Sequence, residues 1–204
     1  METFDSKGEE YLSWYFEELK KAGYISHIEY QPEPFKLTDK VVNLYEKKLK
    51  TKTKILEQTL LSAHEYTCDF KIYWNLKAVE DNLIISLEDT DKRKILNHHF
   101  IFNLEDINDD GEITDFNIVS YIEAKPDLAN LKKYDQNNMN RLVRTIIKQV
   151  YNKFGTYVQL VFHNKLFSYT FTPNKYLVTD KTLKKRVIHY ETRSLKEYIK
   201  LIKI

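Results

Sequence analysis

Apolar side chains begin to recur at helical spacing close to the start of the chain. Leu12, Tyr15, Phe16 and Leu19 repeat every three to four positions and Gly23 closes the run, which predicts an amphipathic helix over 9–22. Tyr24 to Lys40 reads as extended and is interrupted by Pro32 and Pro34. The lysine-rich stretch 47–54 fits a loop or a helix end, most simply a solvated face, and 55–61 fits either state. From Glu65 to Trp74 the period is two: Tyr66, Cys68, Phe70, Ile72 and Trp74 share one face, while Thr67, Asp69, Lys71 and Tyr73 share the more polar other. Leu83 to Leu87 and Phe100 to Leu104 predict two more strands. The turn signal Asn108-Asp109-Asp110-Gly111 would then return the chain as a hairpin into Phe116 to Ile122, a β-branched and aromatic run that Pro126 stops after Lys125.

The second half opens with the clearest amphipathic helix, 137–154. Leu142, Val143, Ile146, Ile147, Val150 and Phe154 form its apolar stripe, and Arg141, Arg144 and Lys148 cluster on another side. Gly155 ends it. Tyr157 to Phe162 and Leu166 to Phe171 read as a hairpin turning at His163-Asn164-Lys165, Val187 to Tyr190 as a short strand, and Ser194 as the cap of a final helix. Helices alternating with strands give an α/β (α+β) fold: a mixed central sheet flanked by helices, with a β-rich insertion at about 76–115 and a C-terminal hairpin and helix at about 156–204. At 204 residues, one domain spanning 1–204 is the simplest organisation.

Charge and cysteine content narrow the chemistry. The net charge is only +2, so any nucleic-acid contact must come from a local patch, and Arg141, Arg144 and Lys148 are candidates, with Lys71 beside Asp69. The same cluster in isolation reads as a solvated helix face. Cys68 is the only cysteine, which excludes a disulfide framework and a Cys-based zinc site and fits a reducing cytoplasm. No apolar leader with a cleavage site and no long uncharged span indicates secretion or membrane insertion, so a cytoplasmic location is expected. Of the six histidines only His98 and His99 adjoin, and neighbours in a strand point to opposite faces. With 4 glycines there is no phosphate-cradling loop, and no Gly-x-Ser-x-Gly elbow occurs. Asp106, Asn108, Asp110 and Gly111 imitate the opening of an EF-hand loop, but Asn117 stands at the twelfth place, where a bidentate glutamate is required.

Glu-x-Lys occurs as Glu18-Leu19-Lys20, Glu46-Lys47-Lys48 and Glu123-Ala124-Lys125, and only the last follows a strand-like run. In a strand Glu123 and Lys125 face the same way about 7 Å apart, and so can address one phosphate. If the Asp69 strand pairs with theirs, Asp69 and Glu123 can hold a hard divalent cation, with the Ala124 carbonyl as a third oxygen donor. Lys125 can then orient an attacking water or stabilise charge on phosphorus. The plain alternative is a cross-strand ion pair on an exposed sheet face.

This arrangement resembles the PD-(D/E)XK nuclease superfamily, which places an acid on one strand and Glu-x-Lys on the next, often with a glutamate on the preceding helix. Within it, Tyr66-Thr67-Cys68-Asp69-Phe70 resembles the Tyr-Thr-Pro-Asp-Phe segment of phage junction-resolving endonucleases, and Ser6-Lys7-Gly8-Glu9 resembles their helix start. Cys68 replaces the proline, and the segment between Asp69 and Glu123 is longer than the hairpin expected there. The resemblance implies a restriction-endonuclease-like core and catalytic residues Glu9, Asp69, Glu123 and Lys125. It also implies Mg2+ (or Mn2+) on Asp69, Glu123, Ala124 and Glu9, a homodimer, and a branched DNA or Holliday-junction substrate in a phage setting. Ser6 with Glu9 is equally a capping box, with Glu10 the alternative register for a site residue. A duplex-cutting or nicking endonuclease, or a non-catalytic nucleic-acid-binding module whose acids pair with Lys71 and Lys125, remain the other readings.

Overall fold

The computed structural model describes residues 4–88, 99–105, 117–125, 133–179 and 183–203, and for 133–140 the backbone alone. The expected turn at 108–111 and most of the EF-hand-like stretch lie outside the described residues. Asn117, at its end, is buried and donates from Nδ2 to the Glu105 carbonyl (2.7 Å).

The fold is mixed α and β. Helix α1 (Lys7–Lys21) starts at an extended Ser6 whose Oγ accepts from the Glu9 amide. The central sheet runs β1 (Ile25–Tyr30), β6 (Phe70–Trp74), β9 (Ile118–Lys125), β8 (Phe100–Leu104) and β7 (Ile84–Ser86). Strand β9 is its axis. One edge pairs antiparallel with β6; the other is divided between β8, antiparallel along Ile118 and Val119, and β10 (Val158–Phe162), parallel along Tyr121 to Lys125. Strands β7 and β8, from the segment expected to be an insertion, are thus built into the main sheet. The short helix α2 (Leu76–Glu80) links β6 to β7.

Burial on both faces explains why β9 reads as a nearly unbroken apolar run: every residue from Ile118 to Ala124 is buried. On one face α1 packs Leu12, Tyr15, Phe16 and Leu19 against Phe70, Ile72, Trp74 and Ile122. Tyr15 stacks on Phe171 at 4.1 Å between ring centroids. On the other face helix α3 (Lys133–Phe154) lays Ile147 and Val150 against Val119, Tyr121 and Val158. A small sheet of β2 (Phe35–Thr38) and β5 (His64–Tyr66) joins this second core through Leu37. Between them projects a two-stranded ribbon, β3 (Val41–Lys48) with β4 (Thr53–Leu61).

Several expectations are corrected. The single strand over 65–74 is two: β5 ends at Tyr66, the chain bends at Thr67–Asp69, and β6 begins at Phe70. Tyr66 and Cys68 therefore pack in the second core, across the sheet from Phe70, Ile72 and Trp74. The hairpin over 157–171 is instead β10 followed directly by helix α4 (His163–Tyr169), because His163 and Phe167, four apart, both bury against α1. No strand forms at 187–190; Val187 is 78% exposed, and Arg186 turns inward to lie 4.4 Å from the Tyr176 ring centre. The lysine-rich stretch 47–54 is the end of the β3–β4 ribbon, and Glu46-Lys47-Lys48 lies in that exposed strand. Leu142, placed in the α3 core stripe, is 66% exposed, since the buried line of that helix runs through Ile147 and Val150. The final helix, α5 (Leu195–Ile202), has the expected Ser194 cap, closed as a full capping box by Glu197. No described helix is long and apolar enough to cross a membrane.

One buried polar relay pins β6 to β9 and β8: Trp74 Nε1 donates to Ser120 Oγ (2.9 Å), which donates to the Ile101 carbonyl (2.7 Å). Ser120→Ala leaves the indole N–H and the carbonyl without these partners at fully buried positions, and is expected to lower the unfolding free energy by about 1–3 kcal/mol. Urea unfolding followed by tryptophan fluorescence measures this.

Candidate active site

The Asp69 and Glu123 positions meet where the β6–β9 ladder ends. The register Phe70↔Ile122, carried one step further, sets Asp69 opposite Glu123. Strand β6 begins only at Phe70, and just before it the Asp69 carboxylate takes the place of a ladder carbonyl: the Ala124 N–H donates to Asp69 Oδ2 at 2.6 Å. The acid is thereby docked on the strand that carries Glu-x-Lys. Within that strand Lys125 Nζ lies 2.6 Å from Glu123 Oε1, and both side chains are 11% exposed. The Tyr66 hydroxyl, at the end of β5, donates to Glu123 Oε2 (2.7 Å). The ion pair thus runs along one strand and is largely shielded from water, rather than crossing between strands on an exposed sheet face.

Glu9 reaches the same end of the sheet from α1. The helix start lies against the end of β9, so close that a Cβ on Gly8 would stand 3.7 Å from the Lys125 carbonyl oxygen. Glu9 is 6% exposed and accepts from Ser6 Oγ (2.6 Å), the Asp5 amide (3.1 Å) and the Tyr30 hydroxyl (2.5 Å). Its charge is felt at Asp69. The cap itself is made by Ser6 Oγ on the Glu9 amide; the Glu9 carboxylate accepts from the Asp5 amide instead of the Ser6 amide that a full capping box uses, and stands near the acids. Glu10, the alternative register, pairs with Lys7 at the surface instead.

Burial, then the charge of Glu123, pushes the Asp69 carboxyl up to about 7; the Ala124 amide and Lys125 oppose this, and Glu9 adds to it. Burial, then Glu123 and Asp69, pushes the Cys68 thiol up to about 12, in keeping with a packing role. Burial beside Glu123 likewise raises Tyr66 above the usual tyrosine range. Three carboxylates and one ammonium make a site whose local charge favours a cation. All its donors are oxygens, the set a hard divalent ion takes, and Mg2+ commonly binds through one or two carboxylates plus waters. Among the described residues no group of three or more His, Cys, Asp or Glu forms a ready-made metal cage.

The basic residues divide. Arg144 and Lys148 of α3 line a cavity of about 730 Å³ that runs along β10 to Phe162 and Lys165. Phe162 is the β10 partner of Lys125, so the groove's lining ends one strand away from Glu-x-Lys, although none of Glu9, Asp69, Glu123 and Lys125 lines it. Arg141 is exposed on α3. Lys71 does not turn toward Asp69: it pairs with Glu105 (3.0 Å) and lies over the rings of Tyr73 and Tyr121 (5.0 and 5.3 Å). Burial disfavours its charge, but hydrogen bonds with Tyr73, Glu105 and Tyr121 more than offset that and raise its pKa. Tyr66, Tyr30 and Lys165 were not assigned to the site from sequence. Tyr66 carries the only signal, its place three residues before Asp69.

The chain matches no family model, and no curated protein or solved structure is significantly similar to it.

Because Asp69 titrates near 7 when folded and near 4 when unfolded, the folded chain keeps a proton that the unfolded chain has lost between those values. In chelator, stability is expected to fall as pH rises through that window. Asp69→Asn keeps an acceptor for the Ala124 amide without the charge. It should raise the unfolding free energy at pH 8 by on the order of 2 kcal/mol and remove most of the slope, as read by thermal melts across pH.

Proposed function

We propose that this chain is a metal-dependent endonuclease that hydrolyses DNA phosphodiester bonds on a restriction-endonuclease-like core. The observation that carries this reading is the docking of Asp69 on the Ala124 amide, which brings an acid from the bend before one strand beside Glu123 and Lys125 of the next. Asp69 and Glu123 would hold Mg2+ or Mn2+, with the Ala124 carbonyl and Glu9 as further oxygen donors. Such an ion polarises the scissile phosphate and lowers the pKa of a bound water.

The remaining work falls to this chain's own groups. Lys125, held by Glu123 and little exposed, can turn one N–H toward the attacking water or a non-bridging phosphate oxygen, where a fixed positive charge in a poorly hydrated site counts most. Tyr66 holds the other Glu123 oxygen and so fixes the rotamer of the acid. Arg144, Lys148 and Lys165 supply a positively charged wall along which a sugar-phosphate strand can approach, with Arg141 further out on the same helix. Preference for branched DNA or Holliday junctions, a homodimer cutting paired strands and a phage setting rest on the resemblance of Tyr66 to Phe70 and Ser6 to Glu9. Action on plain duplex is a variant of the same reading. A non-catalytic DNA-binding module is the second reading, favoured by the engagement of both Glu123 oxygens within the fold.

Incubation with supercoiled plasmid and with a synthetic four-way junction separates the two readings. Cleavage is expected with Mg2+ and none in chelator. Asp69→Asn and Lys125→Ala should each reduce the rate about 10²–10³-fold while DNA binding persists. Binding without cleavage under Mg2+ or Mn2+ would favour the non-catalytic module.

A further inference from the structure

The ribbon of β3 and β4 has no place in the two cores. Every residue of β3 is exposed, and in β4 only Leu56 is partly covered. An isolated two-stranded hairpin is at best marginally stable in water, so a ribbon about 25 Å long by its residue count is expected to gain from a partner. The register shows which partner its surface suits. Directly opposed residues share a face, so one face carries Asn43 with Gln58, Tyr45 with Leu56, and Lys47 with Lys54. That face holds no acid. Glu46 and Glu57 lie on the other, with Leu44 and Ile55. Lys47 and Lys54 stand directly across from each other, a like-charge pair that weakens a ribbon unless an anion lies over it. Lys50 and Lys52 extend the same charge around the turn, which the Leu49 amide closes on the Lys52 carbonyl (2.8 Å).

We infer that the Asn43/Tyr45/Lys47 face of the ribbon seats on duplex DNA. The inference rests on the proposed nuclease reading and deepens it by naming the element that grips the substrate. A two-stranded ribbon fits the major groove, amide side chains can pair with base edges there, and lysines can meet phosphates on either side. The position is productive: β4 leads into β5, whose last residue, Tyr66, holds Glu123, and Asp69 follows three residues later. A duplex arm held by the ribbon is thereby tethered to the segment that carries Tyr66 and Asp69.

The test is fluorescence anisotropy with a labelled blunt duplex three helical turns long, in chelator, over a salt series. Lys47→Ala/Lys54→Ala is expected to weaken binding about tenfold and to make the dependence of log affinity on log salt shallower by about 1.8, two phosphate contacts' worth. Leu44→Ser/Ile55→Ser on the opposite face should bind within about twofold of wild type, since it touches no phosphate. Replacing 41–61 by a short Gly-Ser turn, with circular dichroism to confirm folding, should weaken binding at least as much as the lysine pair. Unchanged affinity and salt slope in the lysine pair and the excised form overturn the inference, as does absence of wild-type binding. Loss of self-association in the Leu44/Ile55 variant, with duplex binding independent of Lys47 and Lys54, would mark the ribbon as an interface between copies and equally overturn it. Ribbon-dependent binding with no cleavage under Mg2+ would fault the nuclease reading alone.

Discussion

One hydrogen bond at the end of a ladder governs this site. The Ala124 N–H needs an acceptor where β6 has not yet begun, and Asp69 supplies it from its side chain (2.6 Å). The strand end and the acid are therefore coupled. The bend at Thr67–Asp69 frees the carboxylate from the sheet plane, and the unpaired amide brings it back against the Glu-x-Lys strand. An unpaired amide at this buried position would be costly, so the geometry is held by the same force that keeps buried backbone groups satisfied elsewhere.

The cost of that arrangement is electrostatic. Glu9, Asp69 and Glu123 are gathered where water reaches them poorly, and among the described residues Lys125 is the cation paired with them, through Glu123. Asp69 carries the strain, its carboxyl pushed up to about 7. Hydroxyls of Tyr30 and Tyr66 and the capping Ser6 spread the charge of the other two acids. Positive charge lies further out, on the α3 wall and the ribbon, so the molecule separates a negatively charged centre from positively charged margins. The net charge of +2 conceals this separation.

Much of the site was readable from local pattern. A run of β-branched residues ending in Pro126 singled out Glu123-Ala124-Lys125 from two copies of the same motif, and period-two alternation placed Asp69 on the polar face. What lay beyond local pattern was connectivity. Alternation continues through Thr67 and Cys68 as though the strand were unbroken, because the residues on both sides of the bend bury apolar groups, but in different cores. Helix α4 was mistaken for a strand because its alternating apolar residues fit both periods, and only contact with α1 decides between them. Strand β3 was missed because every one of its residues is exposed, and pattern reading depends on burial. The hydroxyls of Tyr30 and Tyr66 point at carboxylates from other sheets or helices, a relation that no single segment contains.

The central claim is that Asp69 and Glu123 form one cation site at the end of the β6–β9 ladder. Crystals grown with Mn2+ and measured at its absorption edge test it directly. The account predicts an anomalous peak within coordination distance of one oxygen from each acid, lost in Glu123→Gln. A peak placed elsewhere, or none at saturating Mn2+ with both carboxylates ordered, would contradict it.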